Sequence, residues 1–168
     1  TINTIIAFMA IYASKVVGFK DIELTNFFIL STVSAIIASY FWGLLADKIG
    51  AKKSLTLVLA GWCVALLLAI LSFEKTVFWV VGIISGAALS GIWVTSRALL
   101  IKLSPPAKLG QFFGFYGLTE KMAAVVGPLV WGFVVLVFEP FGIIRYRIAV
   151  SIFLIFIIAS IFVLQNVR

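Results

Sequence analysis

The chain has 168 residues, 64% of them hydrophobic and 11% charged, with a mean hydropathy of +1.25. Soluble domains carry about 25% charged residues, so this composition excludes a water-soluble globular fold. The formal net charge of +7 does not mark a nucleic-acid partner, because Lys and Arg are scattered between apolar runs and form no basic face.

The residue types that are absent narrow the chemistry further. The chain has no His, which removes histidine catalysis, His-ligated metal sites and a His proton relay. No Ser/His/Asp set, metal-ligand cluster or phosphate-binding glycine loop occurs, so no enzyme activity, cofactor or metal is expected. Cys63 is the single cysteine and lies in an apolar run, where a buried, inert thiol is expected. The chain starts at Thr1 without a basic n-region or cleavage site, so it is expected to carry no signal peptide and to be a fragment.

A bilayer-spanning helix needs ~20 apolar residues. The run Ile2 to Phe19 is short and contains Lys15, and reads as a first helix that has lost its beginning. Lys20, Asp21 and Glu23 make a polar turn. Leu24 to Leu45 is a full second span, and the basic stretch Gly43 to Leu55 follows it as a loop. Leu55 to Phe73 is the third span. The turn at Glu74 and Lys75 is so brief that the third and fourth helices must be antiparallel neighbours. The fourth span, Val77 to Ile101, carries Gly82, Gly86 and Ser90 at every fourth position, a pattern that lets helices approach closely in lipid. Ser104, Pro105 and Pro106 end it. The fifth segment, Gln111 to Phe138, holds Gly127 and Pro128, where a kink is expected. Glu139, Pro140 and Gly142 turn the chain into a sixth span, Ile143 to Leu164. The fold expected is an all-α integral membrane protein, a bundle of six transmembrane helices joined by short loops, with the lipid bilayer as its first partner.

Ionisable residues in or near spans are functional candidates. Arg97 lies towards one end of the fourth helix, and Glu120 and Lys121 lie at matching depth in the fifth. Adjacent on a helix, Glu120 and Lys121 point about 100° apart and cannot share a groove. Snorkelling accounts for Lys15, Arg145 and Arg147. Glu120 has a short stem and must find a cation or take a proton, and a carboxylate whose cation moves is what proton coupling requires. Arg97 and Glu120 are expected to pair. Lys121 and Glu120, with Trp93 and Tyr116, form the candidate substrate or proton site, Lys121 serving an anionic or zwitterionic solute.

The stretch GLLADKIGAKKSL, Gly43 to Leu55, resembles the signature loop of the major facilitator superfamily. Gly43, Leu45, Ala46, Asp47, Lys48, Gly50, Lys52 and Leu55 fit that pattern, and Ala51 departs from it by replacing a basic residue. A basic loop that merely fixes topology is the alternative. Gly43 is expected to admit a neighbouring helix, Gly50 to allow a tight turn, and Asp47 to meet the start of the fifth helix near Gln111 to Gly114. The resemblance further implies that Asp47 joins Arg97 and Glu120 in a charge cluster. If this loop is cytoplasmic, Lys48, Lys52, Lys53, Arg97, Lys102, Lys108 and Arg168 share its side. Lys15, Lys20, Lys75, Arg145 and Arg147 take the other, a weak bias in the expected direction. A second stretch, Gly91 to Gly132, resembles the vacuole-effluxer-like branch of the superfamily. It does so through Ser96-Arg97, Pro105-Pro106, Phe112 to Gly117, Lys121 and Gly127-Pro128, whereas Gln111 and Glu120 depart from it.

The resemblance implies that residues 1–168 are the carboxy-terminal half, helices seven to twelve, of a twelve-helix transporter. It implies alternating access between two halves, a small-molecule solute, efflux of amino acids or other small metabolites, and a bacterial inner membrane. The partner would be the amino-terminal six-helix half or a second copy. The competing reading is a non-transporting half-size module that dimerises through its glycine-rich fourth helix.

Overall fold

The computed structural model describes residues 2–72 and 74–166. The expected end of the third span at Phe73 and the topological charge Arg168 lie outside the described residues. Helix α1 spans Ile2–Tyr12 and continues as a π-helical stretch, Ala13–Val17. It is followed by α2 (Asp21–Ile49), α3 (Ala51–Leu71), α4 (Lys75–Leu103), α5 (Leu109–Val137) and α6 (Ile144–Asn166). Five of these, α2 to α6, are long and apolar enough to cross a membrane, and α1 with its extension is a shorter apolar helix.

Local chemistry sets most of the boundaries. Gly18 adopts φ 76° and closes the π-helical stretch with its amide on the Ala13 carbonyl, a left-handed conformation that glycine reaches without a Cβ penalty. Asp21 and Glu23 do not form a separate turn, as expected from sequence, but belong to the first turn of α2. The Lys20 amide donates to Glu23 Oε2 at 2.8 Å, which satisfies one of the orphan donors of a helix start. Ser104 is extended at φ −90°, ψ 134°, as the residue before a proline must be, and α4 ends there.

The stretch from Gly43 to Leu55 is not a loop. Residues 43–49 complete α2, residues 51–55 open α3, and only Gly50, at φ 91° and ψ 147°, lies between them. The expectation failed because the charged residues were read as loop-forming, whereas Lys is a good helix former and the lysines lie along helical surface. Gly43 differs as well, since a Cβ there would meet nothing within 4 Å. No atom of a neighbouring helix lies within 4 Å of that position. In α5, Pro128 is accommodated inside an unbroken helical assignment.

In lipid, apolar area alone does not drive helices together, so close approach and interhelical hydrogen bonds carry the packing. The α2–α4 interface is the most extensive in the bundle. A Cβ at Gly86 would run into the backbone carbonyl of Ser31, and one at Gly82 into the Phe27 ring. Across the same seam Ser34 Oγ donates to the Ile83 carbonyl at 2.8 Å. Trp42 Nε1 donates to the Ala87 carbonyl, also at 2.8 Å. Helix α3 packs on α4 and on α6. Helix α1 lies against α5 and α6 and reaches α3 through the buried Tyr12 hydroxyl, which donates to the Ala69 carbonyl at 2.7 Å.

An aromatic core ties these layers together. Phe27 stacks on Phe78 with centroids 5.4 Å apart, and Phe19 meets Phe78 edge-on at 5.6 Å. Trp131 stacks against Phe8 at 4.8 Å and Phe153 at 6.1 Å, joining α5 to α1 and α6. Gly127 lies against the Thr4 side chain, so α5 meets α1 by close approach there.

Two glycine substitutions separate these roles. Gly86→Ala adds a methyl where the Ser31 backbone already sits, and overpacking of this kind costs about 1–3 kcal/mol. Gly43→Ala fills open space and relieves a helical glycine by about 0.5–1 kcal/mol. Thermal unfolding in detergent should therefore show a lower midpoint for Gly86→Ala and an unchanged or higher one for Gly43→Ala.

Candidate functional site

Helix α2 places Ser31, Ala35 and Ser39 four residues apart, hence on one face, and α4 places Gly86 and Ser90 opposite. Side chains this short bring the two backbones together yet leave the space towards α1 unfilled. The result is a cavity of about 460 Å³ between α1, α2 and α4, within the size range of small-molecule sites. Ile6 and Met9 close it from α1, Phe27 and Phe28 from α2, and Trp62 reaches it from α3.

The polar inventory of this cavity is unusual. Five hydroxyls line it, and each donates its proton to a carbonyl of its own helix. Ser31 and Thr32 bond the Phe27 and Phe28 carbonyls at 2.9 and 2.8 Å. Ser39 bonds Ile36 at 2.7 Å, Ser85 bonds Gly82 at 3.2 Å and Ser90 bonds Ala87 at 2.9 Å. They retain acceptor lone pairs only. Trp62 is the reverse case, 1% exposed with an indole Nε1–H that has no hydrogen-bond partner. None of the lining residues is charged.

Of the residues singled out from sequence, Trp93, Gly86 and Ser90 line this cavity. Tyr116 does not line it; its hydroxyl lies 3.0 Å from Ser96 Oγ, linking α5 to α4. Glu120 and Lys121 are exposed on α5, and Asp47, Lys48 and Arg97 are exposed at their helices. Asp47, Arg97 and Glu120 form no ion pair with one another here. Among the described residues the ion pair joins Lys75 Nζ to Glu23 Oε2 at 2.7 Å, at the opposite ends of α2 and α4 from Asp47 and Arg97. Lys75 also sits 5.6 Å from the centroid of the Phe19 ring. Lys52 Nζ donates to the Gln165 carbonyl at 2.9 Å, tying α3 to the end of α6. At the far end Arg147 Nη2 donates to the Ser72 carbonyl at 3.1 Å.

Sequence reasoning missed Phe27, Ser31, Thr32 and Trp62 as lining residues, because attention went to charged groups. The spacing of Ser31, Ala35 and Ser39 was the available signal, a small-residue stripe that mirrors the one in α4.

A helical, multi-pass membrane protein with an uncharged groove opening among its helices is the class that these features define. The chain belongs to the Major Facilitator Superfamily, whose sequence profile it matches over residues 1–167. It is similar to the multi-drug resistance efflux pump PmrA of Streptococcus pneumoniae, with 28% identity over 159 residues, 92% of this chain and 38% of that protein. The uncharacterized MFS-type transporter YxiO of Bacillus subtilis is 28% identical over 131 residues, 76% of this chain and 30% of that protein. Autophagy-related protein 22 of Pichia angusta is 25% identical over 146 residues, 80% of this chain and 26% of that protein. The chain thus spans about a third of the length of these curated relatives. No solved structure gives a significant match.

The Tyr116–Ser96 contact carries a testable consequence. None of residues 109–126 is buried, so α5 is held over this length by few groups of the chain. Removing the hydroxyl with Tyr116→Phe forfeits about 0.5–1.5 kcal/mol. Amide hydrogen exchange in the first half of α5 should accelerate by about two- to tenfold, with α2 and α3 unaffected.

Proposed function

We propose that this chain is the carboxy-terminal six-helix half of a secondary transporter that moves a small solute by alternating access. The observation that carries the reading is the cavity between α1, α2 and α4 in a chain of this superfamily. In the intact protein that cavity opens towards the amino-terminal half, which also covers the exposed faces of α2 and α5. The Gly50 junction lies on the cytoplasmic side of a bacterial inner membrane, and transport runs in the direction of efflux. The half-size module loses support, because its dimerising glycines, Gly82 and Gly86, are already occupied by α2 of the same chain.

Asp47, Arg97 and Glu120 are unpaired with one another in this conformation and pair in another, with Asp47 latching the start of α5 through the partial positive charge of the helix N-terminus. Glu120 is the group placed to take up and release a proton as Arg97 approaches and withdraws.

The test is transport by the full-length protein in proteoliposomes, against a screen of amino acids and other small metabolites. A solute should accumulate only in vesicles that contain the protein. Asp47→Asn should slow that flux with expression largely intact. Arg97→Ala should impair it more than the paired Arg97→Ala/Glu120→Ala change, since the pair leaves no uncompensated carboxylate. Flux in the double variant no better than in the single would separate Arg97 from Glu120. Absence of flux for every solute would overturn the transporter.

A further inference from the structure

Resting on that reading of the cavity, we infer that its solute is an uncharged, flat, lipophilic molecule. A charged solute is refused. The argument starts from what an occupant would find. The cavity of about 460 Å³ is walled by the rings of Phe27, Phe28 and Trp93 and by aliphatic side chains of α1 and α4. Flat apolar molecules fill such a space well.

The polar groups then discriminate. An anion entering here meets no Lys or Arg among the lining residues, and the five hydroxyls cannot help it, since their protons are spent on backbone carbonyls. An ion so poorly compensated is expelled at large cost. A cation finds lone pairs and ring faces, but no carboxylate lines the space. An uncharged molecule loses little on leaving water. Any hydroxyl or amide proton it carries can be accepted by Ser31 or Ser90. Lys121 lies outside this lining, so the anionic or zwitterionic solute expected from sequence has no counter-charge at the cavity.

The experiment uses the full-length protein in lipid nanodiscs at neutral pH and three probes that share one ring: tryptophol (uncharged), tryptamine (cationic) and indole-3-acetate (anionic). Calorimetry should show tryptophol binding at least ~10-fold more tightly than either ion. Ala35→Phe should fill the cavity and abolish binding. Should Ala35→Phe unfold early on heating, Ile36→Trp at the rim serves instead. Equal or tighter binding of either ion overturns the inference, as does tryptophol affinity indifferent to the filling variant. No binding of tryptophol, as when lipid or the other half of the protein fills the cavity, overturns it too. Because binding is measured without flux, a protein that binds as described yet transports nothing refutes the transporter and leaves this inference standing. Flux that survives the filling variant does the opposite.

Discussion

The close approach of α2 and α4 at Ser31 and Gly86 is the constraint on which the rest of this structure depends. Two polypeptide backbones meet there with no side chain between them. In water, hydrophobic burial would tolerate a looser fit, but acyl chains are as apolar as any helix face. Contact must therefore be won by shape and by polar links across the seam, such as Ser34 to Ile83 and Trp42 to Ala87. With α2 and α4 fixed, α3 settles on α4 and α6 on α3, so the order of packing follows from one small residue.

That same economy of side-chain volume creates the cavity. A stripe of serine, alanine and glycine saves space at the seam but leaves nothing long enough to reach α1. The void and the tight seam are one feature seen from two sides. Its chemistry is likewise inherited from the helices. Serine and threonine in an apolar helix bond back to their own carbonyls, so the hydroxyls that line the cavity arrive already stripped of their protons for hydrogen bonding. Helix α3 contributes Trp62, whose buried indole N–H has no hydrogen-bond partner.

How much of this could be read from the chain differs by level. Six apolar runs, their approximate bounds and the stop at Ser104 were legible, because length, hydropathy and proline act locally. The glycine face of α4 was legible too, although its partner was not, since periodicity gives a face but not what covers it. The stretch from Gly43 to Leu55 misled for a physical reason. Charge at a membrane surface is compatible with helix as much as with loop, and only Gly50 carries the backbone geometry that interrupts it. The site was the least legible part. Charged residues such as Arg97 and Glu120 are conspicuous against an apolar background, whereas a cavity is defined by what is too small to fill it, and Ser31 or Ala35 attracts no notice alone. Trp62 could not have been found, because an unmet hydrogen bond is a property of three-dimensional surroundings.

The single residue between α2 and α3 has a mechanical consequence. Long linkers absorb motion, since their many soft torsions let one rod swing while the next stands still. Gly50 offers one residue, held in a backbone region that is essentially restricted to glycine. Any tilt of α2 is therefore handed to α3 as torque, and the Lys52 tether passes part of it to the end of α6. Over its first half helix α5 is joined to α4 by the Tyr116–Ser96 contact, and none of its residues there is buried. The bundle behaves less like six independent rods than like a stiff frame with one leaf hung loosely beside it, and the compliance of the whole is concentrated in that leaf.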